Sequence, residues 1–530
     1  MPKGYLALVL HAHLPYVRHI EYEDCLEEKW LFEAITETYI PLLHALEKLS
    51  NEGVPYRLTM SFSPTLLTML SDELLQFRYQ RHLEKSLELA QREIQRTTNE
   101  PIFHRLAHMY EELLRQAFIT FRGRYEKNII TGFKHLQDKG NLELITSMAT
   151  HSFSPLYSNQ PQVVKAQVKL ATQMYREDFG HKPQGMWLPE CGFFPELDEI
   201  LQQEGIRYFF VESHGLLFAS PRPRYGIYTP IRTKSGVAAF ARDVESTVQV
   251  WSADEGYPGD FMYREFYRDI GYDLPEDYIK EFLPGGIRSD TGFKYYRITG
   301  KGNWKEPYLP EQAHLKAILH AKDFIAKRKK QIEFLAAHME QKPIVVSPYD
   351  AELFGHWWFE GPIWLENLLR ETAIDPELET ITPGEYLNRY PNLQVCTPCA
   401  SSWGYMGYND VWLNSSNDWI YRHLHQAGER MIDLADRYHD PSPLQKKALN
   451  QAARELLYAQ SSDWAFIMKT GTMVDYAKKR TIEHLTRFNQ LYEEITHEII
   501  NEPWLNHLEK IDNIFPNIDY LVYSEKEKPQ

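Results

Sequence analysis

The chain has 530 residues, with 58 Lys plus Arg against 73 Asp plus Glu and a net charge of −15, a balance that repels phosphate backbones and excludes nucleic acid as the expected partner. Hydrophobic residues make up 43% and charged residues 25%, ordinary globular usage that excludes a mainly disordered or fibrous chain. The length calls for a large barrel-type domain with appendages. The opening apolar run Tyr5 to Leu10 stops at His11, far short of the roughly 20 residues that span a bilayer, and no small-residue cleavage site follows. A cytoplasmic location without membrane attachment is the default expectation. Cys25, Cys191, Cys396 and Cys399 are too few for a disulfide framework, which fits a reducing compartment. Aromatic content of 13% is the unusual number, since flat rings serve either as core or as platforms for sugars.

In chain order, short apolar runs alternate with helical stretches, the pattern of parallel strands joined by crossover helices. They are Tyr5 to Leu10, Tyr56 to Ser61, Glu143 to Ser147, Tyr208 to Glu212 and Ile344 to Val346, and the segment around Trp187 fits the same pattern. Several end in ionisable residues, as expected where strand ends build an α/β-barrel site. Residues 72–139, rich in Glu, Arg, Gln and Leu, read as a helical insertion. Residues 220–290, rich in Pro, Gly, Tyr and Arg, read as a loop-rich lid region. These lie within a barrel domain over 1–405, followed by an α-helical domain over 406–530. The charged end, 524–530, predicts a frayed terminus.

Five segments hold candidate chemistry. His11-Ala12-His13 places two imidazoles on one side of an extended strand, where they suit sugar hydroxyls, a metal, or plain structural hydrogen bonds. A metal is disfavoured, because no further Cys/His cluster completes a ligand set, and Cys396 and Cys399 lack the second pair of a zinc ribbon. Trp187-Leu188-Pro189-Glu190 fixes one carboxylate between an aromatic ring and tight backbone, or supplies a cap for the helix that follows near Pro195. Ser347-Pro348-Tyr349-Asp350 brings a second acid, followed by His356 and Trp357. Two acids on separate strand ends suit glycoside cleavage with retention. Trp403 and Trp412 lie in a Gly-aromatic loop that offers either sugar platforms or a packed joint. Asp463, by spacing alone, reads as a helix N-cap.

Taken in order, His11-Ala12-His13, Gly140 to Glu143, Trp187 to Glu190, Ser347 to Asp350 and the Trp403 segment resemble the five signature regions of glycoside hydrolase family 57. Over nearly the whole chain, Ser462-Asp463-Trp464 included, the sequence is most similar to that family's 1,4-α-glucan branching enzymes. The resemblance implies an α/β fold: an incomplete seven-stranded (β/α) barrel with a helical insertion and an α-helical C-terminal domain. It implies a retaining enzyme on α-1,4-glucan (amylose, glycogen or maltodextrin) without cofactor or metal, with Glu190 as nucleophile and Asp350 as general acid/base. His11, His13 and Asp463 carry over as sugar ligands, with His151 a further candidate beyond Glu143. Trp187, Tyr296, His356, Trp357, Trp403 and Trp412 complete the substrate-binding set, Tyr296 standing where a Trp is usual. Oligomeric state, monomer or dimer, is left open. One departure stands out. The stretch corresponding to a loop that shields the covalent intermediate with a Tyr is Thr229 to Arg242, short and without Tyr, with Tyr228 at its edge. A hydrolysing α-amylase is therefore the alternative, and a catalytically weak glucan-binding protein a second one.

Overall fold

The computed structural model describes residues 2–252, 255–300, 302 and 304–526. Residues 527–530 of the charged end lie outside the described residues; just before them Ser524 is tied down, its hydroxyl donating to Asp436 at 2.6 Å. The fold class is α/β, a half-barrel sheet with many helices. Nine strands occur among the described residues: β1 (Gly4–Ala12), β2 (Leu58–Phe62), β3 (Leu142–Ser147), β4 (Gly185–Trp187), β5 (Tyr208–Val211), β6 (Ile231–Arg232), β7 (Ala238–Ala241), β8 (Ile344–Asp350) and β9 (Leu378–Thr380). The short β6 and β9 are additions to the seven that were expected. The chain divides into two compact units, the first of Met1–Met60, Met69–Glu143 and Asp243–Thr382, the second of Ser61–Thr68, Leu144–Arg242 and Pro383–Gln530.

In the first unit β1 lies beside β8 and β9, parallel to both. All nine β1 residues are buried, which is why the run reads as continuous apolar sequence rather than an alternation: both faces are covered. The register pairs Tyr5 with Ile344 and ends by pairing His11 with Asp350, so the two ionisable residues sit at the same height at the C-terminal strand ends. Helices Glu73–Arg96 and Pro101–Phe118 pack on each other. Asp72 starts the first of them by accepting the Leu75 N–H at 3.0 Å, which satisfies one orphan amide of the opening turn. Helix Pro310–His338 buries Arg328 against Asp243 at 3.4 Å. Asp243 also caps helix Val244–Trp251 by accepting from the Ser246 N–H at 2.8 Å.

The strand order in the second unit is β6-β7-β5-β4-β3, parallel except for the antiparallel β6–β7 pair. Residues 220–290, read from composition as loops, hold β6, β7 and helix Val244–Trp251, and Ala238, Ala239, Phe240 and Ala241 are core. The turn Thr233–Val237 is closed by the Thr233 N–H donating to Val237 O at 2.8 Å, with Gly236 at φ +96°, a conformation that costs glycine nothing. Because β7 runs parallel to β5, with Ala238 opposite Tyr208, this turn lies at the N-terminal strand ends. There Ser235 Oγ donates to Asp198 O at 3.1 Å. Thr229 to Arg242 thus carries its tip away from the C-terminal strand ends, and the sequence-based reading of it as a shielding loop is corrected: its lack of Tyr says nothing about water access.

Past the strands come helices Trp419–Arg437, Pro443–Ala459, Ser462–Thr470, Val474–Thr496 and Glu502–Ile511. Ser442 and Gln445 form a reciprocal capping box at the second, and Gly471 at φ +84° ends the third, each a locally written start or stop. No helix among the described residues is long and apolar enough to cross a membrane.

Candidate active site

Glu190 follows β4 in the second unit, on backbone held in the left-handed region at φ 60°, as are Cys191 at φ 51° and His151 at φ 53°. Such conformations in non-glycine residues persist only where surrounding contacts impose them, and they cluster at functional sites. The contacts here are plain. Phe193 and Ser401 exchange backbone hydrogen bonds of 2.9 and 3.1 Å, and the Trp403 N–H donates to Glu190 O at 2.9 Å. The Trp403 indole Nε1–H donates to Glu190 Oε2 at 2.7 Å. Ser462 Oγ donates to Glu190 Oε1 at 3.3 Å, and His151 Nδ1 lies 3.9 Å from the same oxygen. Glu190 caps no helix; helix Leu197–Gln203 starts after Glu196.

Trp403 is itself held. Its ring lies 5.1 Å from the fully buried Trp187, and the Arg242 guanidinium sits 5.8 Å over it, a cation–π contact. Arg242, at the end of β7, is ion-paired with Glu212 at the end of β5. Trp403, Arg242 and Glu212 line a cleft of about 370 Å³ together with His214, Met406 and Tyr408. Trp187 and Trp412 were expected among the sugar-contacting rings. Trp187 is 0% and Trp412 1% exposed, and Trp412 stacks on Phe153 at 4.3 Å, so both rings are packed away from solvent. Asp463, read from spacing as an N-cap, is not one: the N-cap is Ser461, whose hydroxyl donates to the Asp463 carboxylate in the first turn of helix Ser462–Thr470.

Asp350 ends β8 in the first unit, half-buried. Beside it, at and just past the end of β1, the His11 and His13 rings stack 5.8 Å apart, tilted by 19°. The His13 N–H donates to Glu352 Oε1 at 3.2 Å, and the Tyr39 hydroxyl donates to the same oxygen. Burial pushes the Glu352 carboxyl up to about 7, with the Tyr39 hydrogen bond pulling the other way. Burial alone would raise Glu37 also, but the Arg264 guanidinium and His356 overcome it and hold Glu37 below the usual carboxylate range. Burial would likewise lower His356; its 2.7 Å contact with Glu37 outweighs this and keeps the imidazole above its ordinary value. Gly355 makes the packing possible. It has φ +115°, and a Cβ there would stand 1.8 Å from Glu37 O. Trp357, 44% exposed, lies 6.1 Å from Trp251. Tyr296 carries the Arg268 guanidinium 4.1 Å over its ring.

None of the four cysteines forms a disulfide among the described residues. In the helical segment Glu455, His484 and Asp512 offer atoms close enough for a metal. Arg487 already contacts Asp512 at 2.6 Å, and Glu455 holds His484 Nδ1 at 2.7 Å. Each of the three thus already has a protein partner, and burial pushes the Glu455 carboxyl well up.

Glu352 just after β8 and Glu37 and Tyr39 on the helical segment Ala34–Tyr39 in the first unit, and Arg242 and Ser462 in the second, were not among the candidates read from sequence. Ser462 stands inside a quoted motif and Glu352 two residues beyond another, which is the one signal that pointed to them.

Comparison with known proteins follows the same lines. Residues 7–398 match the profile of Glycosyl hydrolase family 57, and residues 423–523 match that of the C-terminal region of 1,4-alpha-glucan branching enzymes. The crystal structure of the alpha-amylase AmyC from Thermotoga maritima is 47% identical, with a TM-score of 0.93 over 99% of this chain and 100% of that one. A GH57-type branching enzyme from Pyrococcus horikoshii is 34% identical, with a TM-score of 0.89 over 100% and 98%. A 1,4-alpha-glucan branching enzyme of Thermococcus kodakarensis is 33% identical over 100% of this chain and 80% of its own length. With the family profile spanning residues 7–398 and full-length relatives at this identity, the chain belongs to glycosyl hydrolase family 57.

Proposed function

We propose that the protein is a 1,4-α-glucan branching enzyme, an enzyme that cleaves an α-1,4 link and passes the released chain to a 6-hydroxyl. The observation that carries this reading is the match of residues 423–523 to the branching-enzyme C-terminal region. In this reading Glu190 attacks the anomeric carbon while Asp350 protonates the departing glycosidic oxygen; the acceptor hydroxyl then gives its proton to Asp350 and displaces Glu190, with net retention. The Trp403 indole N–H on Glu190 Oε2 supports the nucleophile role, since the bond holds the carboxylate in one orientation. His11, His13, His151 and Asp463 serve as sugar ligands, with Tyr296, His356 and the exposed Trp357 along the glucan path. In this reading no cofactor or metal takes part, and four cysteines outside any disulfide suit a cytoplasmic location.

A second reading is an α-amylase, favoured by the 47% identity to AmyC. The two differ in whether water or a sugar hydroxyl meets the glycosyl ester. Incubation with linear amylose separates them: reducing ends are counted, and chain lengths are measured after enzymatic debranching. New α-1,6 links with few added reducing ends are expected; reducing ends rising without branches would replace the branching reading by the amylase one. Glu190→Gln is the control, expected to lose turnover while still binding glucan.

A further inference from the structure

The carboxylate of Glu190 receives two side-chain donors from segments far apart in the second unit. Trp403 reaches Oε2 at 2.7 Å and Ser462 reaches Oε1 at 3.3 Å. Ser462 is buried and opens helix Ser462–Thr470. Its backbone N–H donates to His151 O at 3.1 Å, and Ser152 and Ser461 form an antiparallel bridge. His151 Nδ1 stands 2.9 Å from Ser462 Oγ. A hydroxyl has one proton to give. With that proton on the carboxylate, the Ser462 oxygen accepts from Nδ1–H, which fixes the His151 tautomer. The result is a directed chain of donors from His151 through Ser462 to Glu190, built on backbone that is left-handed at both ends.

We propose that Ser462 is a positioning residue for the nucleophile, acting through Glu190 and most strongly in the second half of the reaction. The proposal rests on the reading of Glu190 as nucleophile. Oε2, under the shorter bond from Trp403, becomes the ester carbonyl oxygen. Oε1 is the attacking oxygen: its lone pair forms the bond to the anomeric carbon as the glycosidic bond breaks, and that bond's electron pair leaves with the oxygen protonated by Asp350. The charge on Glu190 disappears, and the Ser462 bond weakens with it. When the acceptor hydroxyl attacks, its proton goes to Asp350 and the pair of the carbon–Oε1 bond returns to Glu190. Ser462 then meets a growing negative charge on Oε1, so its donor stabilises the departing carboxylate. Losing the hydroxyl slows release of the ester more than its formation.

The test uses the whole protein and an aryl α-maltooligoside with a nitrophenolate leaving group. Ser462→Ala is expected to lower kcat about 10- to 100-fold, the range for one hydrogen bond to a charged group. KM should fall with it, and a burst of nitrophenolate equal to the enzyme concentration should appear as the ester accumulates. Ser462→Thr should recover most of the rate, whereas Ser462→Val, the same shape without the hydroxyl, should not. Ser462→Ala at the wild-type kcat, a loss without burst, or Thr no better than Val would each overturn the role, and the Thr/Val pair decides the matter should Ala unsettle the fold. Glu190→Gln is read separately: turnover surviving there refutes the nucleophile assignment itself, independently of Ser462.

Discussion

Trp403 and Glu190 are bonded twice, indole Nε1–H to Oε2 at 2.7 Å and backbone N–H to backbone O at 2.9 Å. The backbone bond survives a change of side chain, so the indole donor can be removed on its own. Trp403→Phe keeps an aromatic face for the Arg242 guanidinium above it and deletes one charge-assisted bond. We expect kcat on amylose to fall about 10- to 100-fold with KM changed by less than about threefold. A large rise in KM at constant kcat would instead mean that the ring works mainly as a sugar platform.

Asp350 ends β8 level with His11, and its proposed task differs between the two half-reactions. Asp350→Asn should slow both. A donor whose leaving group departs without protonation should restore ester formation only, leaving the acceptor step slow. Single-turnover measurements with and without such a donor check this, and if neither step recovers, its acid role is refuted.

Glu352 makes stability depend on pH in a defined window. Burial lifts its carboxyl from 4.5 to about 7, so the folded chain holds this proton more tightly than the unfolded one. The contribution is fully present below pH 4.5, declines as pH rises through the interval, and is lost above pH 7. At 1.36 kcal/mol per unit the span is about 3 kcal/mol. Glu352→Gln keeps the acceptor for the His13 N–H and Tyr39 hydroxyl without the charge. Its melting temperature should vary less than wild type between pH 5 and 7; parallel profiles would show that Glu352 does not set the slope.

The turn Thr233–Val237 gives a control of opposite character. Gly236→Ala forces a side chain to φ +96° with open space around it, so only backbone strain is added, about 1 kcal/mol. Thermal or denaturant unfolding should register that loss, while the ratio of branching to hydrolysis stays where it was. A shifted ratio would return this hairpin to the chemistry.

Strands β1 and β8 were legible because burial on both faces writes itself as an unbroken apolar run. β7 was not: Ala-Ala-Phe-Ala has no β-branched residue and lies among Pro, Gly and Tyr, so composition hid a core strand inside an apparent loop region. Carboxylates at strand ends stood out by position, which is why Glu190 and Asp350 could be singled out. Ser462 could not, since its contact joins residues 272 apart and the neighbouring Asp463 is the more conspicuous polar group. Aromatic rings divide in a way that sequence does not distinguish: Trp412 and Trp357 look alike in their motifs, yet one is core and the other open to solvent.

The bridges tying 150–152 to 457–462 set an order in time as well as space. Thr150 Oγ1 donates to Leu457 O, Gln167 to Gln460, and the Ser462 N–H to His151 O. A chain emerging from the ribosome has its strand-end acids long before residue 462 exists. Until then Glu190 lacks the Ser462 hydroxyl as a donor, and His151 Nδ1 lacks its contact with the same hydroxyl. The nascent protein thus acquires its full nucleophile environment only once residue 462 has been made and has folded back onto His151 and Glu190.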